Sequence, residues 1–392
     1  MTADFSIIGG TELVIISAEN DAKLVEEISR LITFIDRIPD CSLVNVAYTC
    51  SLMRGESVLA LVASSVQDLR ERLSSAKNRL ESGTVTRLKD KSGTYYFRDH
   101  LLGEGKGKLA FVFPGAISFY PDMMRDLAVL HPECRAPFDE LEEALVGEPG
   151  FTPSNFIFPP APYYRHDADI FSSGAYSQAL VATYAGCEAM SRLLDAAGLK
   201  PDGVVGCGGG DLAAVMKSGA TSAGTSRTER VKALRDIYRI VSKAVDNKGL
   251  PKIVMVTAMV RHEEDISSVL ASFPKKKVYL VCDFSPKMKT LAIEPDFEET
   301  AMKAFANAGI RILRLELDKP FNTPDCSPIV PAIKKFATDY MKHKSVCEVY
   351  SCAIADRLPE SPRAARRDTA ERWAKPVLFA QTIRKMYEDG YK

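Results

Sequence analysis

Several features that mark specialised proteins are scarce in this sequence. The 51 lysines and arginines are balanced by 51 aspartates and glutamates, so net charge gives no reason to expect a nucleic acid or an anionic membrane as partner. No apolar run reaches about 18 residues, and no secretory leader is visible. The nine cysteines lack C-x-x-C spacing, and no metal-binding pattern stands out. These absences predict a protein of the reducing cytoplasm without a metal or a cofactor.

The chain does contain enough apolar residues for large cores. Of its 392 residues 46% are hydrophobic, and this length corresponds to two or three domains. Strand-like runs at residues 12–18 and 58–63 alternate with helical patterns that begin at Asp21 and Val66. We therefore predict a small α+β domain over residues 1–103, which ends at a charged, glycine-rich stretch.

The rest of the chain alternates strands and helices. An apolar strand at residues 109–113 and a helix from about Ser177 to Ala197 precede a short strand at Val204 and Val205. Residues 251–317 have a βαββαβ order, which is typical of a ferredoxin-like fold. We predict that this ferredoxin-like unit is inserted into a larger α/β unit made of residues 104–250 and 318–392.

The most informative motif is the run from Val204 to Asp211, which reads VVGCGGGD. A buried strand, a glycine turn and a helix follow one another, as they do in the nucleophile elbow G-x-S-x-G. In that elbow a serine hydroxyl is exposed on a sharp turn. Gly206, Gly208 and Gly210 occupy the three motif positions, so Gly208 stands where the serine is expected.

Motifs along nearly the whole chain resemble the acyltransferase domains of polyketide synthases and related multienzymes. Residues 111–127 resemble the family's opening motif FPGQGSQYPGMGRDL, residues 178–206 continue the match to the elbow, and residues 320–324 resemble its histidine motif. Residues 16–65 resemble the linker domain between a ketosynthase and an acyltransferase. The resemblance implies an α/β-hydrolase-like large subdomain, a ferredoxin-like small subdomain and a preceding linker domain, within a polyketide or polyunsaturated-fatty-acid type synthase.

The departures from the family pattern matter most for function. The family elbow G-H-S-x-G-E has become GCGGGD, and Asn322 stands where the family has its general-base histidine. Family chemistry needs a serine to attack the thioester and a histidine to take its proton. None of the five histidines, at positions 100, 131, 166, 262 and 343, falls at a motif position. We therefore expect no intact catalytic residue and an inactive domain that is retained for structure or docking.

Binding groups are also implied by the resemblance. The oxyanion hole would be formed by the backbone N–H groups of Ala116 and Gly209. Arg235, Gln178 and Phe321 would contact the substrate, with Arg235 pairing with the carboxylate of a malonyl-type group. The implied partners are an acyl carrier protein, the ketosynthase domain of the same synthase and acyl-coenzyme A.

Two alternatives stay open at this point. An active acyltransferase could use unrecognised chemistry, although Cys207 and Cys326 are better interpreted as small buried cysteines than as nucleophiles. The letters GCGGGD also occur in the first motif of methyltransferases that use S-adenosylmethionine, where a glycine-rich turn opens a helix. The acidic residue that normally precedes that motif is missing here, because Val204 and Val205 occupy the place.

Overall fold

The computed structural model of the chain describes residues 10–99, 101–102, 107–160, 175–246 and 250–392. Contacts divide the chain into two compact units, residues 1–107 and 108–392. Among the described residues, no helix is both long and apolar enough to cross a membrane. Within the same ranges, no group of three His, Cys, Asp or Glu side chains could hold a metal ion.

Within residues 10–99, the first unit is an α+β arrangement of one sheet and three helices. Its elements are β1 (Glu12–Ala18), α1 (Asp21–Arg37), α2 (Leu43–Ser51), β2 (Ser57–Ala63), α3 (Val66–Leu80), β3 (Arg87–Lys89) and β4 (Thr94–Phe97). The strands pair antiparallel in the order β1-β2-β4-β3. Alternate residues of β2 are buried, which is expected of a strand that covers a core with one face.

Side-chain caps fix where the helices of this unit begin. The Asn20 side chain accepts a hydrogen bond from the Lys23 N–H, and Ser65 does the same for Asp68. These caps satisfy N–H groups that lack a partner within the helix. Strands β1 and β2 and helices α1 and α3, which the sequence predicts, are confirmed. The short β3–β4 hairpin is not among the predicted elements.

The second unit contains two four-stranded sheets. Its strands are β5 (Ala110–Phe113), β6 (Gly203–Gly206), β7 (Val254–Met259), β8 (Val278–Ser285), β9 (Met288–Ile293), β10 (Arg311–Arg314), β11 (Glu348–Ser351) and β12 (Asp356–Arg357). Its helices are α4 (Arg125–Leu130), α5 (Pro132–Leu145), α6 (Pro153–Ile157), α7 (Ala175–Ala196), α8 (Asp211–Lys217), α9 (Arg227–Asp246), α10 (Glu263–Ser272), α11 (Glu298–Asn307), α12 (Val330–Tyr340), α13 (Pro362–Glu371) and α14 (Phe379–Glu388).

The larger sheet positions the glycine turn. Its order is β12-β11-β6-β5, and β6 has parallel partners on both sides. All four residues of β6 are buried, as expected for a central strand of a parallel sheet with both faces covered. The turn after β6 therefore starts from a rigid support.

The smaller sheet confirms the ferredoxin-like pattern. Its strands pair antiparallel in the order β10-β7-β9-β8, and α10 and α11 occupy the two crossovers of the βαββαβ chain order. The two sheets lie in the residue ranges for which separate subdomains are predicted. The exact boundaries at residues 103, 250 and 317 stay predictions.

Candidate functional site

The glycine turn follows β6 and leads directly into α8, which is the predicted order of strand, turn and helix. At Gly206 an added Cβ would lie 2.1 Å from the backbone nitrogen of Asp211. At Gly210 it would lie 2.1 Å from the carbonyl oxygen of Phe113. Backbone atoms cannot give way by that much, so glycine is required at both positions.

Gly208 has different surroundings from these two glycines. Its φ is +56°, in the left-handed region, and nothing lies within 4 Å of the position that a Cβ would take. The backbone conformation favours glycine, because a Cβ there approaches the following carbonyl. The space, however, would accept a side chain.

Asn322 is held firmly by the chain segment that follows α13. Its φ is +61°, a conformation that asparagine tolerates better than most residues. Its N–H donates to the Trp373 carbonyl at 2.9 Å, and its Nδ2 donates to the carbonyls of Arg372 and Lys375 at 3.1 and 3.3 Å. The side chain is thereby committed as a hydrogen-bond donor.

The backbone nitrogens of Ala116 and Gly209 lie close to each other. A Cβ built on Gly209 would lie 3.6 Å from the Ala116 nitrogen, and one built on Gly115 would lie 3.4 Å from the Gly209 nitrogen. Among the described residues, the backbone hydrogen bonds of turns and loops include none from either N–H. Two neighbouring N–H groups without acceptors are the arrangement that an oxyanion hole requires.

These groups share one cleft, hereafter the outer cleft, which has about 950 Å³ of atom-free space including its mouth. Ala116, Gly208, Gly209 and Asn322 all line it. So does Phe321, whose ring stacks on Tyr176 with centroids 4.1 Å apart. The smaller sheet closes the other side with apolar residues such as Met255, Val281 and Phe284.

A second space, hereafter the inner cavity, also touches the turn and has about 780 Å³ of atom-free space, including its opening to solvent. Tyr176, Gly208, Gly209 and Asn322 line both spaces. Apolar side chains from α8, α9 and α12 form most of its wall, including Val215, Met216, Ile237, Ile333, Phe336 and Met341.

Buried charges mark one end of the inner cavity. Arg372 Nη1 lies 2.9 Å from Asp211 Oδ2, and Arg372 Nη2 lies 3.2 Å from Asp368 Oδ2. Ser351 Oγ donates to the same Asp368 oxygen at 2.7 Å. Burial raises the pKa of Asp211 to about 6, although the neighbouring Arg372 opposes this change.

Two predicted substrate contacts do not reach either space. The Arg235 guanidinium donates to the carbonyls of Ala144 and Glu143 at 2.7 and 3.4 Å, where it satisfies the last turn of α5. Gln178 lies partly buried on α7 and, among the described residues, is not part of either wall. The placement of Arg235 thus departs from the expected role, because two of its donors are used within the fold.

The structure brings no described histidine to the turn. His131 precedes α5, His262 precedes α10, and the His343 N–H donates to the Ala220 carbonyl. None of these three lines either space. His100 and His166 lie outside the described residues.

The cysteines near the turn are mostly buried. Cys207 and Cys282 line the outer cleft, and the neighbouring Cys207 thiol, together with burial, raises the pKa of Cys282. Burial also raises the pKa of Cys326 to about 12, which disfavours its thiolate.

Arg372 and Tyr176 both line the inner cavity, and the sequence analysis singles out neither of them. Tyr176 lies just before the motif that begins at Gln178, and Arg372 just before Trp373. Neither belongs to a pattern with known chemistry. Only the position of Asp211 at the end of the glycine run pointed to this end of the cavity.

Sequence comparisons find that the chain is similar to parts of much longer synthases. A family model described as CurL-like, PKS C-terminal, matches residues 12–73. The 5-methyl-1-naphthoate synthase of Streptomyces sahachiroi is 24% identical over 354 residues, covering 90% of this chain and 18% of that protein. The 6-methylsalicylic acid synthase of Penicillium patulum is 23% identical over 342 residues, covering 85% and 17%. The chain therefore spans less than a fifth of these relatives.

Solved structures agree on the fold. The acyltransferase domain of SpnD, in complex with 2-(pent-4-yn-1-yl)malonyl, superimposes with a TM-score of 0.73 at 18% identity, covering 98% of this chain and 84% of that chain. The chain has the fold of a polyketide-synthase acyltransferase domain. The acyltransferase domain from module 8 of the salinomycin polyketide synthase gives the same TM-score at 17% identity, covering 97% and 84%.

Another solved structure matches less of the chain. The malonyl CoA-acyl carrier protein transacylase from Clostridium perfringens superimposes with a TM-score of 0.57 at 21% identity, covering 72% of this chain and 84% of that chain. Its smaller coverage agrees with the presence here of an additional first unit.

Proposed function

We propose that this chain is an acyltransferase-like region of a cytoplasmic polyketide synthase that does not form an acyl-enzyme. The observation that carries the proposal is the pair Gly208 and Asn322 on the wall of one cleft. Glycine has no atom that an acyl group could modify. Asparagine cannot accept and return a proton near neutral pH.

The fixed hydrogen bonds of Asn322 strengthen this proposal. Its Nδ2 donates to two carbonyls, so its Oδ1 is the remaining polar atom, and an amide oxygen is far too weak a base to deprotonate an alcohol. In a hydrolase with comparable chemistry, loss of the serine or the histidine alone lowers kcat by about a million-fold. Loss of both then lowers it little further.

Binding of a thioester can outlast the loss of chemistry. The N–H groups of Ala116 and Gly209 belong to the backbone, and they would hold a thioester carbonyl oxygen in the outer cleft without cleaving the bond. In this proposal acyl-coenzyme A is a ligand, and an acyl carrier protein and a ketosynthase domain are the partners. No cofactor takes part.

The first experiment measures the intact mass of the chain after incubation with malonyl- and acetyl-coenzyme A. We expect the mass to stay unchanged. A stable increase equal to one acyl group would overturn the proposal and favour an active acyltransferase with different chemistry. The same measurement on Cys207→Ala then shows whether that thiol, which lines the outer cleft, carries the group.

The second experiment restores both expected residues. The double variant Gly208→Ser, Asn322→His should gain a detectable acyl adduct or thioester hydrolysis, because the Cβ position at residue 208 faces open space. The single variant Gly208→Ser is the matched control, and it should gain much less because no base is present. Absence of any gain in the folded double variant would contradict the view that these two positions account for the inactivity.

The methyltransferase alternative stays a prediction with its own test. Saturable binding of labelled S-adenosylmethionine to the wild-type chain would favour it over an acyltransferase-like region. We expect no such binding.

A further inference from the structure

The outer cleft has no charged side chain among the described residues that line it. Arg235, which the sequence predicts to bind a carboxylate, directs its guanidinium to the end of α5 instead. Three lysines lie within two residues of the wall along the sequence, but none of them lines the cleft: Lys289, Lys319 and Lys375. The cleft therefore offers an anion no cation from the described residues.

The polar side chains of the cleft offer few hydrogen-bond donors. Besides two thiols, they belong to Ser118, Tyr176, Thr290 and Asn322. Asn322 Nδ2 already donates to two carbonyls, and Thr290 Oγ1 lies 3.1 Å from Thr257 Oγ1. A carboxylate in this cleft would lose its hydration without gaining a cation or a full set of hydrogen bonds, which is unfavourable.

Apolar side chains, by contrast, come from several elements around the cleft. Met255 lies on β7, Val281 and Phe284 lie on β8, Phe379 begins α14, and Phe321 precedes Asn322. Methyl and methylene groups gain free energy when they leave water for such a wall. The wall therefore favours an acyl group that is uncharged.

The size of the cleft limits the length of that group. Without its open mouth, the outer cleft has a cavity volume of about 270 Å³. An apolar cavity of roughly 150 Å³ is enough to hold a benzene molecule. The outer cleft thus has room for a short acyl chain.

We propose that the outer cleft binds uncharged, short-chain acyl thioesters in preference to malonyl thioesters. This preference rests on the proposed function, in which the cleft holds a thioester without cleaving it. It adds the chemical class of the acyl group.

The test compares 3-methylbutyryl-coenzyme A with malonyl-coenzyme A on the wild-type chain by titration calorimetry, with free coenzyme A as the reference. The two acyl groups have the same number of non-hydrogen atoms and the same branching, but only malonyl carries a carboxylate. We expect 3-methylbutyryl-coenzyme A to bind at least about tenfold more tightly than malonyl-coenzyme A. Equal or tighter binding of malonyl-coenzyme A would overturn the proposal. So would a 3-methylbutyryl thioester that binds no better than free coenzyme A.

The two proposals fail in different ways. An acyl adduct in the mass experiment would contradict the proposed inactivity. Tight binding of malonyl-coenzyme A without an adduct would contradict only the preference for uncharged acyl groups.

A variant at Phe284 locates the acyl group. Phe284 is half-buried and lines the outer cleft, so Phe284→Ala removes apolar contact and should weaken 3-methylbutyryl-coenzyme A at least about fivefold. The matched control Phe273→Ala truncates another half-buried phenylalanine, which packs against Phe305 and lines neither space. It should leave binding unchanged. Unchanged binding by the folded Phe284→Ala protein contradicts the proposal.

A second variant covers the case in which Phe284→Ala fails to fold. Ile117 lines the outer cleft and is 47% exposed, so Ile117→Ala spares the core. It should weaken 3-methylbutyryl-coenzyme A at least about threefold and leave free coenzyme A unchanged. Wild-type affinity in this variant would show that the acyl group binds elsewhere.

Discussion

The outer cleft and the inner cavity share Gly208 and Asn322, yet they are built from different kinds of group. In the outer cleft the proposed substrate contacts are two backbone N–H groups, that of Gly209 in the turn after β6 and that of Ala116 after β5. In the inner cavity the polar end consists of buried side-chain charges that hold one another. The comparison indicates that a side-chain substitution in the outer cleft leaves the backbone donors in place. In the inner cavity, a substitution of one charged residue changes both the packing and the balance of charge.

The largest expected effect is on the cavity side. Arg372→Met leaves the carboxylates of Asp211 and Asp368 buried without their cation, so the free energy of unfolding should fall by about 3–5 kcal/mol. Urea unfolding measures this free energy of unfolding. The matched control is Arg367→Met, which removes an arginine that is 68% exposed and should change stability by less than about 0.5 kcal/mol. A loss below about 1 kcal/mol for Arg372→Met would remove the contrast between the two spaces.

The next effect separates the glycines of the turn. Gly210→Ala should lower the free energy of unfolding by about 3 kcal/mol, because the new Cβ would lie 2.1 Å from the Phe113 carbonyl oxygen. Gly208→Ala should lower the free energy of unfolding by only about 1–2 kcal/mol. Its Cβ would meet open space, so the left-handed φ is the only source of strain. Chemical denaturation of both variants provides the comparison. Equal losses would mean that the space at Gly208 is not available to a side chain.

The last effect concerns pH. The pKa of Asp211 is raised to about 6 from an ordinary 3.8, so the folded chain holds this proton more tightly than the unfolded chain. Ionisation of Asp211 therefore destabilises the fold as pH rises from about 4 to about 6, by at most about 1.4 kcal/mol per pH unit. The free energy of unfolding of the wild type minus that of Asp211→Asn should decline across this window and become flat above it. A flat difference throughout would contradict burial of an ionisable group at this end.

Much of the fold could be predicted because its signals are local. Apolar periodicity identified β1, α1, β2 and α3, and the short strand–helix period identified the smaller sheet with its ferredoxin-like order. The β3–β4 hairpin was missed because its strands of three and four residues are too short to show a period. The pairing order of the larger sheet depends on contacts between distant segments, which no local pattern contains.

The site could be predicted only as far as its motifs reach. The elbow context and the placement of Gly208, Gly209 and Asn322 on one cleft follow from motif order. The direction of Arg235 could not be foreseen, because it is decided by free carbonyls at the end of α5, some 90 residues earlier in the chain. The buried pair of Asp211 and Arg372 is likewise a product of tertiary packing.

The open space at Gly208 also bears on how this site could change by mutation. An asparagine codon becomes a histidine codon by a single base change, and a glycine codon that ends in a pyrimidine becomes a serine codon by another. The space beside the Cβ position of Gly208 is free, so a serine there meets no packed neighbour, whereas a histidine at residue 322 removes two side-chain hydrogen bonds to backbone carbonyls. The serine and histidine that the family resemblance implies are thus two base changes away when the Gly208 codon ends in a pyrimidine.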